Sequence, residues 1–212
     1  MNNKQKVTQL REVINSSLNK IVGKKCILLD APYYHNIGDV LIWTGEQCYL
    51  SDNHIECLYT SSYETCIFPK IDKDVTVLFN GGGNLGDIYH EHMDFLLSVV
   101  RHYPDNRIIV LPQTIYYKDS SLETEDFKLL KNHKDLYICC RDQVVYQHVK
   151  ATFGSHALML PDMAFCISSS RLETYKKAVT KDKLIIDRED CEKGVSIVGK
   201  DGDVSDLSLI HI

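Results

Sequence analysis

The stretch Val75-Thr-Val-Leu-Phe-Asn80-Gly-Gly-Gly-Asn-Leu-Gly-Asp87 places a run of apolar and β-branched residues directly before three consecutive glycines. The apolar run predicts a buried strand, and the glycines predict a tight turn in which the backbone can approach a ligand closely. Helical spacing of apolar residues then predicts a helix over Ile88–His102. This order of strand, turn and helix is the repeating unit of α/β domains with parallel sheets.

The same alternation extends in both directions from this unit. Strands are predicted at Cys26–Asp30, His54–Tyr59, Val75–Asn80, Arg107–Gln113, Leu136–Cys140 and His156–Leu160. Helical windows are predicted at Val40–Leu50, Ile88–His102, Leu122–His133 and Gln143–Lys150. The pattern predicts an α/β class fold that is Rossmann-like and doubly wound, with a mainly parallel sheet of about six strands.

The 212 residues are divided into three predicted segments. Residues 1–23 form an amphipathic helix, because apolar residues recur at helical spacing from Val7 to Val22 and Gly23 follows as a C-cap. Residues 24–167 form the α/β domain. Residues 168–212 are expected to be a linker and the start of a truncated second domain, with a further strand at 184–190.

Composition and charge exclude several classes of protein. With 24 Lys and Arg against 29 Asp and Glu, the net charge of −5 argues against nucleic-acid binding, which needs a basic face. Neither a secretory leader nor an apolar stretch long enough to span a membrane is recognisable. The 8 cysteines lie in apolar runs, which predicts buried free thiols and a reducing, cytoplasmic location.

Ligands of open parallel sheets bind beyond the carboxyl ends of the strands, where this chain carries an unusual set of polar residues. Two corners, Asn36-Ile-Gly-Asp39 and Asn84-Leu-Gly-Asp87, are expected to direct both aspartates into one crevice. Carboxylates there could bind sugar hydroxyls or act as general bases. The alternative is that Asp39, Asn84 and Asp87 only cap helices.

Two other kinds of site are disfavoured. The glycines fit G-x-G-x-x-G, but they lie in the third unit, and the next strand ends in Pro112-Gln113 without the acid that binds a ribose. His90 and His92 are two positions apart, so they do not share a helix face, and no metal site is predicted.

The motifs taken together resemble the polysaccharide pyruvyl transferase family. They are Asn36-Ile-Gly-Asp39, Phe79-Asn-Gly-Gly-Gly-Asn-Leu-Gly-Asp87, Leu111-Pro-Gln-Thr-Ile115, Cys140-Arg-Asp142 and Pro161-Asp-Met-Ala-Phe165. The resemblance covers about residues 24 to 190. It implies the N-terminal domain of a GT-B-type, two-domain transferase, which moves pyruvate from phosphoenolpyruvate to a sugar as a ketal. Many family members serve bacterial exopolysaccharide or cell-wall polymer synthesis.

The resemblance also implies roles for individual residues. Asp39 and Asp87 are the candidates for the general base and general acid. The predicted substrate-binding residues are Asn36, Gly82, Gly83, Asn84, Gln113, Arg141, Asp142 and Arg188. No cofactor is expected besides the donor substrate, phosphoenolpyruvate, and the acceptor is a sugar or glycan.

One departure from the family leaves other functions open. The second domain, with the family's Arg-Leu-His type motif, is missing after Ile212, so self-association or a partner polypeptide is expected to complete the site. The alternatives are a GT-B-type glycosyltransferase that uses a nucleotide-sugar, and a catalytically inactive sugar-binding or regulatory domain.

Overall fold

The computed structural model describes residues 2–34 and 36–173, and two further short strands. The helices are α1 (Asn3–Leu18), α2 (Ile37–Asp52), α3 (His90–His102), α4 (Ser120–Lys131), α5 (Gln143–Phe153) and α6 (Ser169–Glu173). The strands are β1 (Lys25–Leu29), β2 (Glu56–Ser61), β3 (Thr76–Phe79), β4 (Gly82–Gly86), β5 (Ile108–Tyr116), β6 (Leu136–Cys140), β7 (Ala157–Met159), β8 (Leu184–Asp187) and β9 (Asp203–Asp206). Short 3₁₀ turns lie at Gly154–His156 and Met163–Cys166.

Seven of the strands form one parallel sheet, which confirms the predicted α/β class. Its order is β2-β1-β3-β5-β6-β7, and β4 pairs with β5 outside this path. The sheet is doubly wound because alternate residues of each strand face opposite layers of helices. In β1, for example, Ile27 packs in the cluster that contains Met93 of α3, whereas Leu28 packs in the cluster that contains Leu18 of α1. Strands β8 and β9 pair in parallel with each other.

Helix α1 runs from Asn3 to Leu18, within the predicted segment 1–23, and it ends earlier than the periodicity predicts. Its start is fixed by a capping box, in which Asn2 and Gln5 satisfy each other's backbone N–H groups. Asn19, rather than Gly23, follows as the C-cap. The helix is part of the domain core, because Leu18 is fully buried against the sheet.

The glycine stretch differs from the predicted tight turn between a strand and a helix, because it continues as strand β4. Strand β5 runs on to Tyr116, three residues beyond its predicted end, and so offers a backbone edge with which Gly82 and Gly86 pair. Both glycines have positive φ angles, 129° and 123°, which residues with a side chain rarely adopt. Helix α3 begins at His90, so the glycines do not open it.

Candidate functional site

A buried aspartate and histidine form a pair at the carboxyl end of the central strands. Asp30 follows β1 directly in the left-handed region at φ 70°, a conformation that Asp tolerates better than most residues. It accepts hydrogen bonds from Nδ1 of His92, in the first turn of α3, at 2.8 and 3.0 Å. Asp30 is 2% exposed and His92 is 5% exposed, so solvent screens the pair little.

The pKa values of both groups are raised. Burial lowers the pKa of His92, but the hydrogen bond and charge of Asp30, with the charges of Glu91 and Asp39, outweigh burial and raise it overall. Burial raises the pKa of Asp30 more than the hydrogen bond with His92 lowers it. A proton is therefore retained on the imidazole to higher pH than on a free histidine, whose pKa is about 6.5.

Tyr34 joins this pair to two predicted site residues. Its ring lies edge-on to the ring of His92, with 6.0 Å between the centroids. Its hydroxyl accepts a hydrogen bond from Nδ2 of Asn84 at 2.5 Å and also hydrogen bonds with Asp39. Asp39 in turn borders the glycine stretch, since a Cβ atom on Gly82 would lie 3.4 Å from its Oδ1 atom. These contacts bring both predicted corners to one place.

Arg141 reaches the same glycine stretch from the end of β6. Its Nη2 atom lies 3.1 Å from where a Cβ atom on Gly83 would be, so a side chain larger than hydrogen would crowd the guanidinium. Nε donates to Oγ1 of Thr114 at 2.9 Å, and Nη1 forms an ion pair with Asp162 at 2.8 Å. The guanidinium is thus held beside the glycines, while about a third of its side chain remains exposed.

Two predicted substrate-binding residues act as helix caps in the structure. Asn36, rather than Asp39, is the N-cap of α2, and its Oδ1 atom accepts a hydrogen bond from the N–H of Gly38 at 2.9 Å. This capping places Asp39 inside the first turn of the helix. Asp142 caps α5 through the N–H of Val145. Substrate binding by either cap remains a prediction.

A buried polar layer supports the glycine stretch from below. Gln113 is 1% exposed and donates from Nε2 to the carbonyl oxygen of Asn80 at 2.7 Å. On the helical side, Oε1 of Glu46 accepts a hydrogen bond from the N–H of Gly81 at 2.8 Å. Gln113 thus contacts the backbone of the glycine corner, and its predicted binding of substrate remains a prediction.

Glu46 is expected to make stability depend on pH, because burial raises its pKa well above the usual value for a glutamate. A raised pKa in the folded state means that its favourable contribution is complete at low pH and is lost as the pH rises above about 4.5. Glu46→Gln retains an oxygen for Gly81 and removes the charge. We expect it to raise the free energy of unfolding at pH 8 by on the order of 1 kcal/mol, measured by urea denaturation from pH 5 to 8.

The matched control for this variant is Glu56→Gln, which changes an exposed glutamate at the start of β2. This control should leave the pH dependence unchanged. If Glu46→Gln instead lowers stability equally at every pH, the carboxylate is a structural anchor whose ionisation in the folded protein costs nothing.

Asp87, the second predicted catalytic aspartate, faces the loop that follows β5. Its Oδ2 atom accepts hydrogen bonds from the backbone N–H groups of Lys118 and Asp119, at 2.5 and 2.8 Å. It does not cap α3, whose N-cap is Tyr89. The structure therefore gives Asp87 a contact that anchors the loop, and its part in acid–base chemistry remains a prediction.

Two variants separate these roles of Asp87. Asp87→Asn keeps an oxygen that can accept the hydrogen bonds from the loop, whereas Asp87→Ala leaves both backbone N–H groups without that acceptor. If Asp87 is an anchor only, we expect the alanine variant to lose about 1–3 kcal/mol of stability and the asparagine variant less, measured by thermal unfolding. A loss of transfer activity of about 10²–10⁴-fold in a stable Asp87→Asn variant would establish the acid–base role.

The remaining predicted residues lie elsewhere. His90 pairs with Asp126 at 3.1 Å and with Asp94 at 3.3 Å. Its ring therefore points away from Asp30, the partner of His92, as the spacing of the two histidines predicts. Arg188 lies outside the described residues.

In the portion of the chain that the structure describes, no helix has both the length and the apolar character needed to cross a membrane.

Comparison with known proteins decides the family. The sequence pattern that defines the Polysaccharide pyruvyl transferase family matches residues 36–208, which include the glycine stretch, Asp39 and Arg141. The chain belongs to the polysaccharide pyruvyl transferase family. This confirms the resemblance drawn from the corner motifs.

Several relatives of this pyruvyl transferase family chain cover much of it at moderate identity. Pyruvyl transferase 1 of Schizosaccharomyces pombe is 30% identical over 182 residues, which are 81% of this chain and 45% of that protein. EpsO of Bacillus subtilis, provisionally named a pyruvyl transferase, is 29% identical over 77% of this chain and 52% of that protein. The chain thus spans about half the length of these relatives.

A solved structure agrees with the fold. A functionally uncharacterised protein from Klebsiella pneumoniae superimposes with a TM-score of 0.59 and 19% identity, over 91% of this chain and 67% of that one. At this identity the likeness bears on the architecture alone. It agrees with the parallel, doubly wound sheet described above.

The sequence patterns do not identify Asp30, His92, Tyr34 and Glu46 as parts of this site. The pattern around His92 raises only a metal pair with His90, and Asp30 ends a predicted strand. One signal was available, because Asp30 stands between four buried apolar residues and Ala31-Pro32, where the chain must turn. A charged residue at that place is expensive to bury without a partner.

Proposed function

We propose that the described domain takes part in transferring pyruvate from phosphoenolpyruvate to a sugar as a ketal, in the synthesis of an exopolysaccharide or cell-wall polymer. Family membership supports the reaction class, and the Asp30–His92 pair beside Tyr34 and Asp39 is the observation that carries the proposal. A cytoplasmic setting is part of it, because the seven described cysteines are all free thiols, as suits a reducing compartment.

The chemistry of ketal formation requires proton transfers in both directions. One sugar hydroxyl adds to C2 of the enol and gives up its proton, while C3 gains a proton and becomes a methyl group. A second hydroxyl then displaces the phosphate at C2 and gives up its proton as well. The two protons lost by the hydroxyls balance the one gained by C3 and the one carried off by the released phosphate.

The residues at the carboxyl ends of the strands suit both the donation of a proton to C3 and the removal of protons from the sugar hydroxyls. His92 is the candidate general acid, because the raised pKa keeps its imidazole protonated toward neutral pH. Asp30 orients the ring and compensates its charge. Asp39 is the candidate base for the acceptor hydroxyl, as predicted from sequence. Its neighbour Tyr34 hydrogen bonds with it and with Asn84. Arg141 is placed to attract an anionic group of the donor.

The test is release of inorganic phosphate from phosphoenolpyruvate by the purified chain. The acceptors are methyl glycosides whose hydroxyls are adjacent or 1,3-related, because both geometries can close a cyclic ketal. We expect phosphate release that depends on the acceptor, together with a glycoside product heavier by one pyruvate ketal in mass spectrometry. A nucleotide-sugar donor serves as the comparison.

Two outcomes would replace the proposal. Transfer of a glycosyl group from the nucleotide-sugar, with no release from phosphoenolpyruvate, would make the protein a glycosyltransferase. Binding of glycosides by calorimetry, with no turnover of either donor, would identify a sugar-binding domain.

A further inference from the structure

A pair of cysteines lies across β1 and β2, the two strands at one edge of the sheet, away from β6, which Arg141 follows. Cys26 in β1 and Cys57 in β2 are register partners in the parallel ladder. Side chains of register partners project to the same side of a sheet, and neighbouring strands are about 4.8 Å apart. That separation falls within the range of about 4.4–6.8 Å that Cα atoms of a disulfide span.

The two thiols differ sharply in exposure. Cys26 is fully buried among the residues under α2, whereas Cys57 is exposed. Strand β2 is at the edge of the sheet, and Cys57 lines a surface groove of about 570 Å³ between this strand and α2. A small reagent can therefore reach Cys57 from solvent, while Cys26 is shielded from it. This arrangement corrects the prediction that all the cysteines are buried.

Each of these neighbouring thiols changes the pKa of the other. The interaction with Cys26 is the main cause that lowers the pKa of Cys57 to about 7, and backbone hydrogen bonds at Tyr59 and Leu28 lower it further. The interaction with Cys57, followed by burial, raises the pKa of Cys26, which therefore stays a thiol. The exposed sulfur is thus the nucleophile and the buried one its proton donor.

We propose that Cys57 and Cys26 form a peroxide-sensitive modification site, in which Cys57 is oxidised first and Cys26 resolves it to a disulfide. The Cys57 thiolate attacks one oxygen of a peroxide, the O–O bond breaks, and Cys57 becomes a sulfenic acid as hydroxide leaves. Cys26 then attacks the Cys57 sulfur, the S–O bond breaks, and the Cys26 proton and the hydroxyl leave as water. The peroxide is reduced by two electrons, and the two thiols supply them.

The experiment treats the reduced chain with a few equivalents of hydrogen peroxide and maps its disulfides by mass spectrometry. Trypsin alone leaves residues 26–70 as one peptide, so a protease that cleaves after glutamate is added, and Glu46, Glu56 and Glu64 then separate the four cysteines of that peptide. We expect a dithiothreitol-reversible link between the peptides of Cys26 and Cys57. We also expect iodoacetamide to label Cys57 about tenfold faster than Cys66 at pH 7.

Variants make the result decisive. Cys57→Ser should abolish the link, and Cys66→Ser, which changes a half-buried cysteine nearby, should leave it intact. Cys26→Ala should let a sulfenic acid accumulate on Cys57, where dimedone traps it. The proposal is overturned if peroxide oxidises Cys57 no faster than Cys66, or if Cys26 stays reduced while Cys57 is oxidised further. Neither result bears on transferase activity, which is assayed separately.

Discussion

Replacing His92 with glutamine is expected to lower the rate of pyruvyl transfer by about 10²–10⁴-fold, the usual contribution of a general acid or base. Glutamine can still donate a hydrogen bond to Asp30, but it cannot carry a proton to C3 of the donor. The rate of phosphate release from phosphoenolpyruvate is measured for the unchanged protein and for the variant. Circular dichroism checks that both are folded.

His90→Gln is the matched control, since it changes a histidine of the same helix that is also paired with a carboxylate. It should retain activity. A second variant, Asp30→Asn, tests the electrostatics: without the negative charge the pKa of His92 falls, so the alkaline limit of the pH–rate profile should move to lower pH. Equal losses in the His90 and His92 variants, or an unshifted profile in Asp30→Asn, would assign the pair a structural role.

Gly86→Ala is expected to give the largest loss of stability, about 3–5 kcal/mol, because two costs add. The backbone of Gly86 has φ 123°, which an L-residue with a side chain rarely adopts. A Cβ atom there would also lie 1.8 Å from the carbonyl oxygen of Tyr116, which belongs to the paired strand β5. The free energy of unfolding, measured in urea, reports the sum of the two costs.

Gly154→Ala separates the two contributions. Gly154 also has a positive φ, 59°, but nothing lies within 4 Å of its Cβ position. This variant should lose less, about 1–3 kcal/mol, the cost of the backbone conformation alone. If both alanine variants lose the same amount, strand β4 is able to move away from β5 and the close approach has no energetic importance.

The sequence predicts the order of elements because apolar runs and helical windows alternate clearly from Cys26 to Met159. It does not predict β4, since glycines have low strand propensity and this strand exists only where β5 extends beyond Gln113 to offer a partner. Local patterns identify the residues that follow each strand, and so they locate Asp39, Asn84 and Arg141. They do not identify which side chains meet across elements.

The Asp30–His92 pair illustrates this limit. The two residues are 62 positions apart, and nothing near either residue in the chain specifies the other. The role of Glu46 is not predictable for a related reason, because a glutamate in a helix is usually on a solvated face. Here Gly81, which belongs to another strand–helix unit, packs against that face of α2 and the carboxyl group is buried. This burial becomes apparent only in the assembled sheet.

The contact of helix α1 with the far end of the domain has a consequence for synthesis on the ribosome. Arg11 donates hydrogen bonds to the carbonyl oxygens of Phe165 and Ile167, which are 154 and 156 residues later in the chain. At roughly 5–20 residues per second, Arg11 is translated about eight to thirty seconds before these partners. During this interval the apolar face with Leu18 lacks part of its final cover, so the nascent domain closes only when its last turn leaves the exit tunnel.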